Sequence, residues 1–335
     1  MGGSATASWV GVPSWGQKAT GSVKRVPHWG QILMPISEGP RIHQPERSRR
    51  TTAPAYPHAV RIHHLDCASM CPLGRAAVSG EGSLFERGAM PAHCLVVETD
   101  AHGLVLVDTG IGEDDVRDPK GRLGGMFTTI VGVEPRRTTT MRAHLRRLGL
   151  DPADVRHVIL THLDLDHAGG LPDFPGATVH VHRREKDAAL APTWRERERY
   201  RAVHWAHGPT WSTFDAEGEP WRGFPAVRAL PGLPPEILAI PLHGHTRGHC
   251  LVAIETRSGP LVHCGDAYFH RGVVEGTSIP WGLRAFESML AFDRSRIAGN
   301  HARLRELAAT GGGIRLFSAH DPVELERLAA RATAS

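Results

Sequence analysis

The sequence lacks the segments that would place it in a membrane or direct it to secretion. Its 335 residues contain no apolar run of about 18 residues or more, the length that a membrane-spanning helix needs. The N-terminus has no basic, apolar and small-residue zones in the order of a secretory signal. We therefore expect a cytoplasmic protein without a membrane partner.

Cysteine is also scarce, and its number is odd. A disulfide framework needs pairs of cysteines, so an odd number in a long chain argues against one. Cys67 and Cys71 are closely spaced, but no second pair accompanies them. We expect reduced thiols packed near the core, at Cys67, Cys71, Cys94, Cys250 and Cys264.

A basic surface for nucleic acid is absent from most of the chain. The formal net charge is +4, but residues 1–56 hold seven Lys or Arg and two acidic residues, a balance of +5. Residues 57–335 therefore carry +4 − 5 = −1. This distribution gives no support to phosphate-backbone binding by the folded part.

Composition divides the chain at about residue 57. Residues 1–56 are rich in Gly, Ser, Pro, Thr and Arg and show no apolar period, which predicts a disordered basic extension. Trp9, Trp15 and Trp29 leave open a docking segment, and Met34 leaves open a later start of translation. Residues 57–335 are predicted to form one domain with a Trp- and Arg-rich insert at about 190–225, either a lid over a site or a helix packed on a sheet.

Strand and helix patterns alternate along residues 57–335, without an internal repeat. Short β-rich runs predict strands at 92–98, 103–107, 155–160, 178–182, 237–241, 249–255, 260–264 and 314–318. Helical spacing predicts helices at 138–148, 183–190, 194–204, 294–310 and 323–330. The order indicates an α/β protein.

Four side chains of metal-ligand type lie within six residues, directly after the predicted strand 155–160. They are His162, Asp164, Asp166 and His167. Imidazole and carboxylate ligands suit Zn²⁺, Mn²⁺ or Fe²⁺, and the end of a strand is where α/β proteins build sites. The alternative is a polar surface loop whose histidines cap the next helix.

Five motifs in order resemble those of the metallo-β-lactamase fold superfamily, whose signature is HxHxDH at a strand end. The resemblance covers about residues 58–325 and is closest to the N-acyl homoserine lactonase-like branch of metallo-hydrolases. It implies a four-layer αββα sandwich of two mixed β-sheets flanked by helices. The motifs are the Asp108–Thr109–Gly110 turn, the hexapeptide from His162, the GHTPGH-like stretch 243–249, the strand end at Asp266 and the segment 318–322.

The resemblance also implies a ligand set for two divalent metal ions, zinc by family. One ion would be held by His162, Asp164 and His249, the other by Asp166, His167 and His320, with Asp266 bridging the two. A water or hydroxide shared by the ions completes the implied site. Asp166 would orient it and pass its proton to the leaving group, while Asp108 would steer a ligand histidine.

Asp164 is a departure, because the family signature has a histidine at this position. With the usual two aspartates, two divalent ions and a hydroxide sum to about +1, and a third aspartate brings the sum to about 0. We therefore predict a less electrophilic centre with a preference shifted toward Mn or Fe. The flavodiiron branch has an acidic residue here, which leaves a diiron redox enzyme open as an alternative.

Two further departures concern the substrate side. Arg247 replaces the proline of GHTPGH, and Tyr268 follows Asp266 by two residues, whereas the lactonases place a substrate-contacting tyrosine three residues after. Phe269 holds that place here. Tyr268 is therefore either a catalytic candidate or a packed aromatic.

The sequence as a whole predicts a metal-dependent hydrolase that acts on a small molecule. The resemblance favours cleavage of an ester, lactone or thioester bond over an amide. Besides the diiron enzyme, the competing hypothesis is a non-catalytic effector that keeps the fold. That hypothesis is disfavoured because every expected ligand position holds a side chain able to bind metal.

Overall fold

The computed structural model of the protein describes residues 61–215, 218–226 and 230–332. All of them fall within one unit, Pro54–Ser335. The predicted basic extension, residues 1–56, lies outside the described residues.

The larger sheet has six strands, and its order in space follows the chain. Its first two strand pairs are antiparallel and the next three are parallel. Val107 at the end of β3 lies opposite Ile159 at the end of β4, so the loops after these strands emerge together. The strands are β1 (Arg61–Asp66), β2 (His93–Thr99), β3 (Gly103–Val107), β4 (Val155–Ile159), β5 (Thr178–His182) and β6 (Thr210–Phe214).

The smaller sheet has four strands in the order β12-β11-β10-β9. Its strands β11 and β12 are parallel, and the other pairs are antiparallel. A two-stranded hairpin precedes it in the chain. These elements are β7 (Pro220–Trp221), β8 (Phe224–Pro225), β9 (Ile237–Pro241), β10 (Cys250–Ile254), β11 (Leu261–His263) and β12 (Arg315–Phe317).

Most helices are short, and side chains fix where several of them begin. Thr140 Oγ1 accepts a hydrogen bond from the Ala143 amide at the start of α5, and Asp293 does the same for Ser295 at the start of α10. The helices are α1 (Arg75–Ser79), α2 (Glu113–Arg117), α3 (Pro119–Leu123), α4 (Gly125–Ile130), α5 (Met141–Arg147), α6 (Leu165–Ala168), α7 (Arg183–Leu190), α8 (Gly272–Glu275), α9 (Trp281–Leu290), α10 (Arg294–Ala309) and α11 (Pro322–Ala332).

Alternation along the strands builds four layers. Val105 faces the smaller sheet and packs in one core with Val252 of β10. Its neighbour Leu106 faces the other way and packs with Leu145 of α5. On the far side of the smaller sheet, Leu251 packs with Leu304 of α10. The predicted αββα sandwich of two mixed sheets is confirmed.

One predicted helix, 194–204, is wrong. This part of the insert forms turns and a single 3₁₀ turn at Ala202–His204. The side chain of Glu196 accepts hydrogen bonds from the amide and hydroxyl of Thr193, at 3.0 and 2.6 Å, and an ion pair holds it to Arg247. These contacts favour a turn over a regular helix.

The cysteines agree with the prediction of reduced thiols. All five are free, and four are buried. Among the described residues, no helix has the length and apolar character needed to cross a membrane.

Candidate metal centre

The predicted site residues gather where strands of both sheets end. His162 follows β4, Asp266 follows β11 and His320 follows β12. Because β3 and β4 are parallel, as are β11 and β12, the loops after them open on the same edge. The amide of His93 in β2 donates to the carbonyl of Ala319, which ties the two sheets together beside this edge.

Four side chains form the first group of candidate ligands. His162, Asp164, His245 and Asp266 each offer one donor atom, and these atoms all lie within 4.8 Å of one another. Asp164 Oδ2 lies 3.4 Å from His162 Nε2 and 3.0 Å from His245 Nε2. All four side chains are buried. His162 lies in the loop after β4 and His245 in the loop after β9, so the group brings the β4 loop and the β9 loop together.

A second group comprises Asp166, His167 and His320, with donor atoms that also lie within 4.8 Å of one another. Asp266 stands between the two groups. Its Oδ1 lies 3.1 Å from His167 Nε2 and 3.0 Å from His320 Nε2, while its Oδ2 lies 3.3 Å from His245 Nε2. One carboxylate therefore faces both groups, which is the geometry that a bridging ligand requires.

Hydrogen bonds through Nδ1 orient three of the four imidazoles of the groups. His167 Nδ1 lies 2.8 Å from Asp108 Oδ2, and His320 Nδ1 lies 2.8 Å from the carbonyl oxygen of Pro91. His162 Nδ1 lies 2.9 Å from Thr161 Oγ1. With Nδ1 held in this way, Nε2 of each ring is directed to the centre. Metal-binding histidines are commonly oriented by such partners.

Asp108 organises the centre from outside the two groups. It is fully buried, and its φ of 57° lies in the left-handed region that aspartate adopts more readily than most residues. Its Oδ1 accepts the Thr161 amide at 2.8 Å, and its Oδ2 accepts the Thr161 hydroxyl at 2.8 Å in addition to the His167 ring. One carboxylate thus positions both histidine-bearing segments of the β4 loop.

The donor atoms fit divalent metal ions. His162 Nε2, His167 Nε2 and Asp266 Oδ1 are buried, and despite the short distances between them none has a hydrogen-bond partner in suitable geometry. Burial alone would lower the pKa of His167, yet Asp266, Asp166 and Asp108 raise it well above its ordinary value. A cluster that favours a proton on a buried imidazole in this way also favours a cation. Nitrogen and carboxylate oxygen are the donor types for Zn²⁺, Mn²⁺ or Fe²⁺.

His249 is placed differently from the prediction. Both of its ring nitrogens are engaged, because Nδ1 lies 3.2 Å from the carbonyl oxygen of Leu242 and Nε2 accepts the backbone amide of Asp266 at 3.0 Å. Gly265 packs closely against the ring, since a Cβ atom at this position would lie only 2.7 Å from His249 Nε2. The structure therefore puts His245, not His249, in the first group, and His249 supports the loop that carries Asp266.

Tyr268 does not reach the centre. Its side chain is fully buried in the core between the smaller sheet and α10, and its hydroxyl donates to Glu324 Oε1 at 3.1 Å. The alternative of a packed aromatic therefore describes its placement. Phe269 instead faces the centre, with its ring stacked on His320 at a centroid distance of 5.2 Å.

Glu185 in α7 connects the two ligand loops, and the sequence offered no signal for it. It is fully buried, and its Oε1 accepts the Leu163 amide at 3.0 Å and the Tyr200 hydroxyl at 2.9 Å. Its Oε2 accepts the Gly248 amide at 2.8 Å. A single carboxylate therefore joins the β4 loop, the loop before β10 and the insert.

Arg199 is a further residue at the centre that the sequence did not single out. Its guanidinium forms an ion pair with Asp164, with 2.8 Å between Nε and Oδ1. Burial alone would raise the pKa of the Asp164 carboxyl, but Arg199 and His162 lower it well below its ordinary value. The only hint of it in the sequence was Asp164, because an additional carboxylate in a buried site is stable only with a cation nearby.

A cavity of about 720 Å³ opens onto both groups, where Asp164, Asp166, Asp266 and His320 form part of its floor. Its wall is mostly apolar and rich in Met and Phe. Charged side chains of the insert, including Arg195 and Glu198, form the rim. The apolar wall residues include Met70, Met90, Met126, Phe127, Ile130, Phe269, Phe286, Met289, Leu290 and Phe292.

Known proteins are similar to this sequence over most of its length. Residues 87–320 match the sequence model of the metallo-beta-lactamase superfamily. A probable metallo-hydrolase of Mycobacterium tuberculosis is 40% identical over 266 residues, which are 78% of this chain and 81% of the relative. An N-acyl homoserine lactonase of Azorhizobium caulinodans is 28% identical over 267 residues, which are 78% of this chain and 94% of the relative.

A solved structure shows the same fold. It is the AiiA protein of B. thuringiensis, in a variant with N-decanoyl-L-homoserine bound at its active site. The TM-score is 0.59 at 23% sequence identity, and the alignment covers 79% of this chain and 95% of AiiA.

Proposed function

The chain belongs to the metallo-β-lactamase superfamily and is a metal-dependent hydrolase, and from that premise we propose that it cleaves an ester, lactone or thioester bond in a small molecule with an apolar acyl portion. The observation that carries this proposal is the contact between a Met- and Phe-rich cavity and the two groups of candidate ligands.

Two divalent metal ions would be held by the two groups. We assign His162, Asp164 and His245 to one ion, and Asp166, His167 and His320 to the other, with Asp266 between them. This assignment replaces the His249 of the sequence prediction with His245. We propose zinc as the ion by family, with Mn and Fe as competitors because Asp164 adds an oxygen donor.

Once bound, the two ions would supply the electrophilic chemistry, because metal cations lower the pKa of a bound water and polarise a carbonyl oxygen. The residues of the chain orient the reactants. Asp166 lines the cavity, and its Oδ2 lies 3.6 Å from His320 Nε2. A carboxylate in this position accepts a proton from the attacking water and returns it to the oxygen or sulfur that leaves the acyl carbon. Phe269 and His320 stack at the floor and limit the approach of the substrate to the open side.

The cavity indicates the kind of substrate. A wall of methionine and phenylalanine side chains favours an alkyl or acyl chain, and the flexible methionines adapt to its shape. The volume of about 720 Å³ is in the range of sites for small molecules. The A. caulinodans relative is named for hydrolysis of N-acyl homoserine lactones, which combine a lactone ring with an acyl chain. We propose the same general substrate shape here.

A metal assay combined with a substrate series tests this proposal. Inductively coupled plasma mass spectrometry of the metal-loaded full chain should give about two divalent ions per protein. With lactones and esters of increasing acyl length, kcat/KM should rise by up to about fourfold per methylene until the cavity is filled. Chelator-treated protein should be inactive. A metal-loaded protein that hydrolyses no member of the series would contradict the proposed substrate class.

We propose that residues 57–335 form the hydrolase domain, that residues 1–56 are a separate basic extension, and that the protein acts in the cytoplasm. The free cysteines agree with a reducing compartment.

A further inference from the structure

Asp164 and Arg247, the two departures within the metal-binding motifs, each form an ion pair with the same segment of the insert. Asp164, in place of a histidine, pairs with Arg199. Arg247, in place of a proline, pairs with Glu196, with 2.7 and 2.9 Å between its guanidinium and the carboxylate oxygens. Glu196 and Arg199 are only three residues apart. One segment therefore carries the counter-charge for each unusual residue.

The ion pair between Arg199 and Asp164 involves both carboxylate oxygens and is largely buried. Arg199 Nε lies 2.8 Å from Asp164 Oδ1, and its Nη2 donates to Oδ2 at 3.0 Å. Nη1 donates to the carbonyl oxygen of His245 at 3.1 Å. The Arg199 side chain is only 14% exposed. Arg199 therefore holds two candidate ligands of the same group that come from different loops.

We propose that Arg199 is a positioning residue that balances the charge of Asp164, so that the Asp164–Arg199 pair carries the same net charge as the neutral imidazole it replaces. The inference rests on the proposed two-ion centre. Its consequence is that the centre is not less positive than in relatives with a histidine at this position. Two divalent ions, a hydroxide and three aspartates sum to about 0, and the positive charge of Arg199 returns this sum to about +1.

The physical reason is that the interior screens charges weakly. A guanidinium beside divalent cations is repelled by them, and the repulsion is offset only while the Asp164 carboxylate lies between. A neutral side chain at position 164 would leave the buried guanidinium of Arg199 unpaired next to the metal ions. Position 164 and position 199 should therefore change together, and a change at 164 alone should expel an ion.

A double-variant cycle with metal content as the readout tests the proposal. Asp164→His should bind one of the two ions at least about tenfold more weakly than the unaltered chain does, although histidine is a good ligand. Asp164→His combined with Arg199→Gln should regain about two ions per chain, since glutamine keeps a donor for the His245 carbonyl without the charge. Arg199→Gln alone should keep both ions. Affinities are measured by competition with a chromophoric chelator, and circular dichroism verifies folding.

A second cycle uses Asp164→Asn, which removes the charge with little change of shape. It should also lose one ion, and Arg199→Gln should restore part of the affinity. Arg197→Gln, at an exposed position of the same segment, is the matched control and should keep both ions.

The proposal is overturned if Asp164→His or Asp164→Asn binds both ions as tightly as the unaltered chain. It is also overturned if the folded double variants remain as weak as the single ones. Failure of the two-ion centre itself would be seen separately, as fewer than two ions bound by the unaltered chain.

Discussion

Asp108 Oδ2 and His167 Nδ1 lie 2.8 Å apart, and the carboxylate of Asp108 is wholly enclosed by the loops that it joins. Burial alone would raise the pKa of Asp108, but the imidazole of His167 lowers it below its ordinary value. The carboxylate therefore stays ionised and keeps the proton of the ring on Nδ1. This leaves Nε2 of His167 as the atom that faces the centre.

Asp108→Asn should weaken metal binding because the amide is uncharged and has only one oxygen acceptor for three donors. We expect one ion to bind about 10- to 100-fold more weakly. Chelator competition on the full chain measures this change. An affinity equal to that of the unaltered chain would show that Asp108 only supports the loop.

His245→Ala and His249→Ala should affect different properties, metal content and stability respectively. His245→Ala should remove one ion, whereas His249→Ala should retain about two at saturating metal and lower the free energy of unfolding by about 2–3 kcal/mol, because the Asp266 amide loses its acceptor. Metal analysis and denaturant unfolding distinguish them. The reverse pattern would restore His249 as the ligand.

Asp266→Ala should disrupt both groups, because one carboxylate faces both. We expect loss of at least one ion per chain, measured by mass spectrometry after gel filtration. Asp154→Ala, at an exposed position just before β4, is the control and should keep both ions. Two retained ions in Asp266→Ala would refute the bridging assignment.

Glu185→Ala should destabilise the chain strongly, since it leaves two buried amides and the Tyr200 hydroxyl without their acceptor. The expected loss is on the order of 3 kcal/mol in the free energy of unfolding. Chemical denaturation measures it, with the exposed Glu326→Ala as control. A loss equal to that of the control would mean that water takes over these hydrogen bonds.

Glu324→Gln should make stability less dependent on pH. Burial raises the pKa of Glu324 from 4.5 to about 8. Between these values the folded protein binds more protons than the unfolded chain, so its free energy of unfolding falls as pH rises. Glutamine imitates the protonated acid, so the free energy of unfolding of the unaltered chain should fall relative to that of the variant by on the order of 3 kcal/mol between pH 5 and pH 8. Denaturant unfolding at both pH values checks this, and an equal difference at both would contradict it.

Local patterns in the sequence were sufficient for most strands, because buried strands have a strong apolar signature. The strands Gly103–Val107, Thr178–His182 and Ile237–Pro241 have the predicted bounds. Among the missed elements are β1 and β6, which lie at the two edges of the larger sheet with mixed polarity, and α9, which exposes Trp281. Residues 194–204 of the insert were wrongly predicted as a helix because their side chains bind distant loops, which no local pattern records.

The site shows where a motif stops being informative. The stretch 243–249 contains histidines at positions 243, 245 and 249, and spacing alone does not reveal which ring turns to the centre. That depends on the Asp266 amide and the Leu242 carbonyl, which take both nitrogens of His249. Tyr268 presented the same difficulty, because its direction is set by Glu324, 56 residues away in the chain.

The wall of the cavity and its floor come from different parts of the chain. Met126 and Met289 belong to α4 and α9, whereas the candidate ligands lie at the ends of strands. Substitutions in these two helices can therefore change what the protein recognises without moving the groups that break the bond. The architecture allows evolution to diversify substrates over an inherited chemistry, and engineers can use the same separation to retarget the protein.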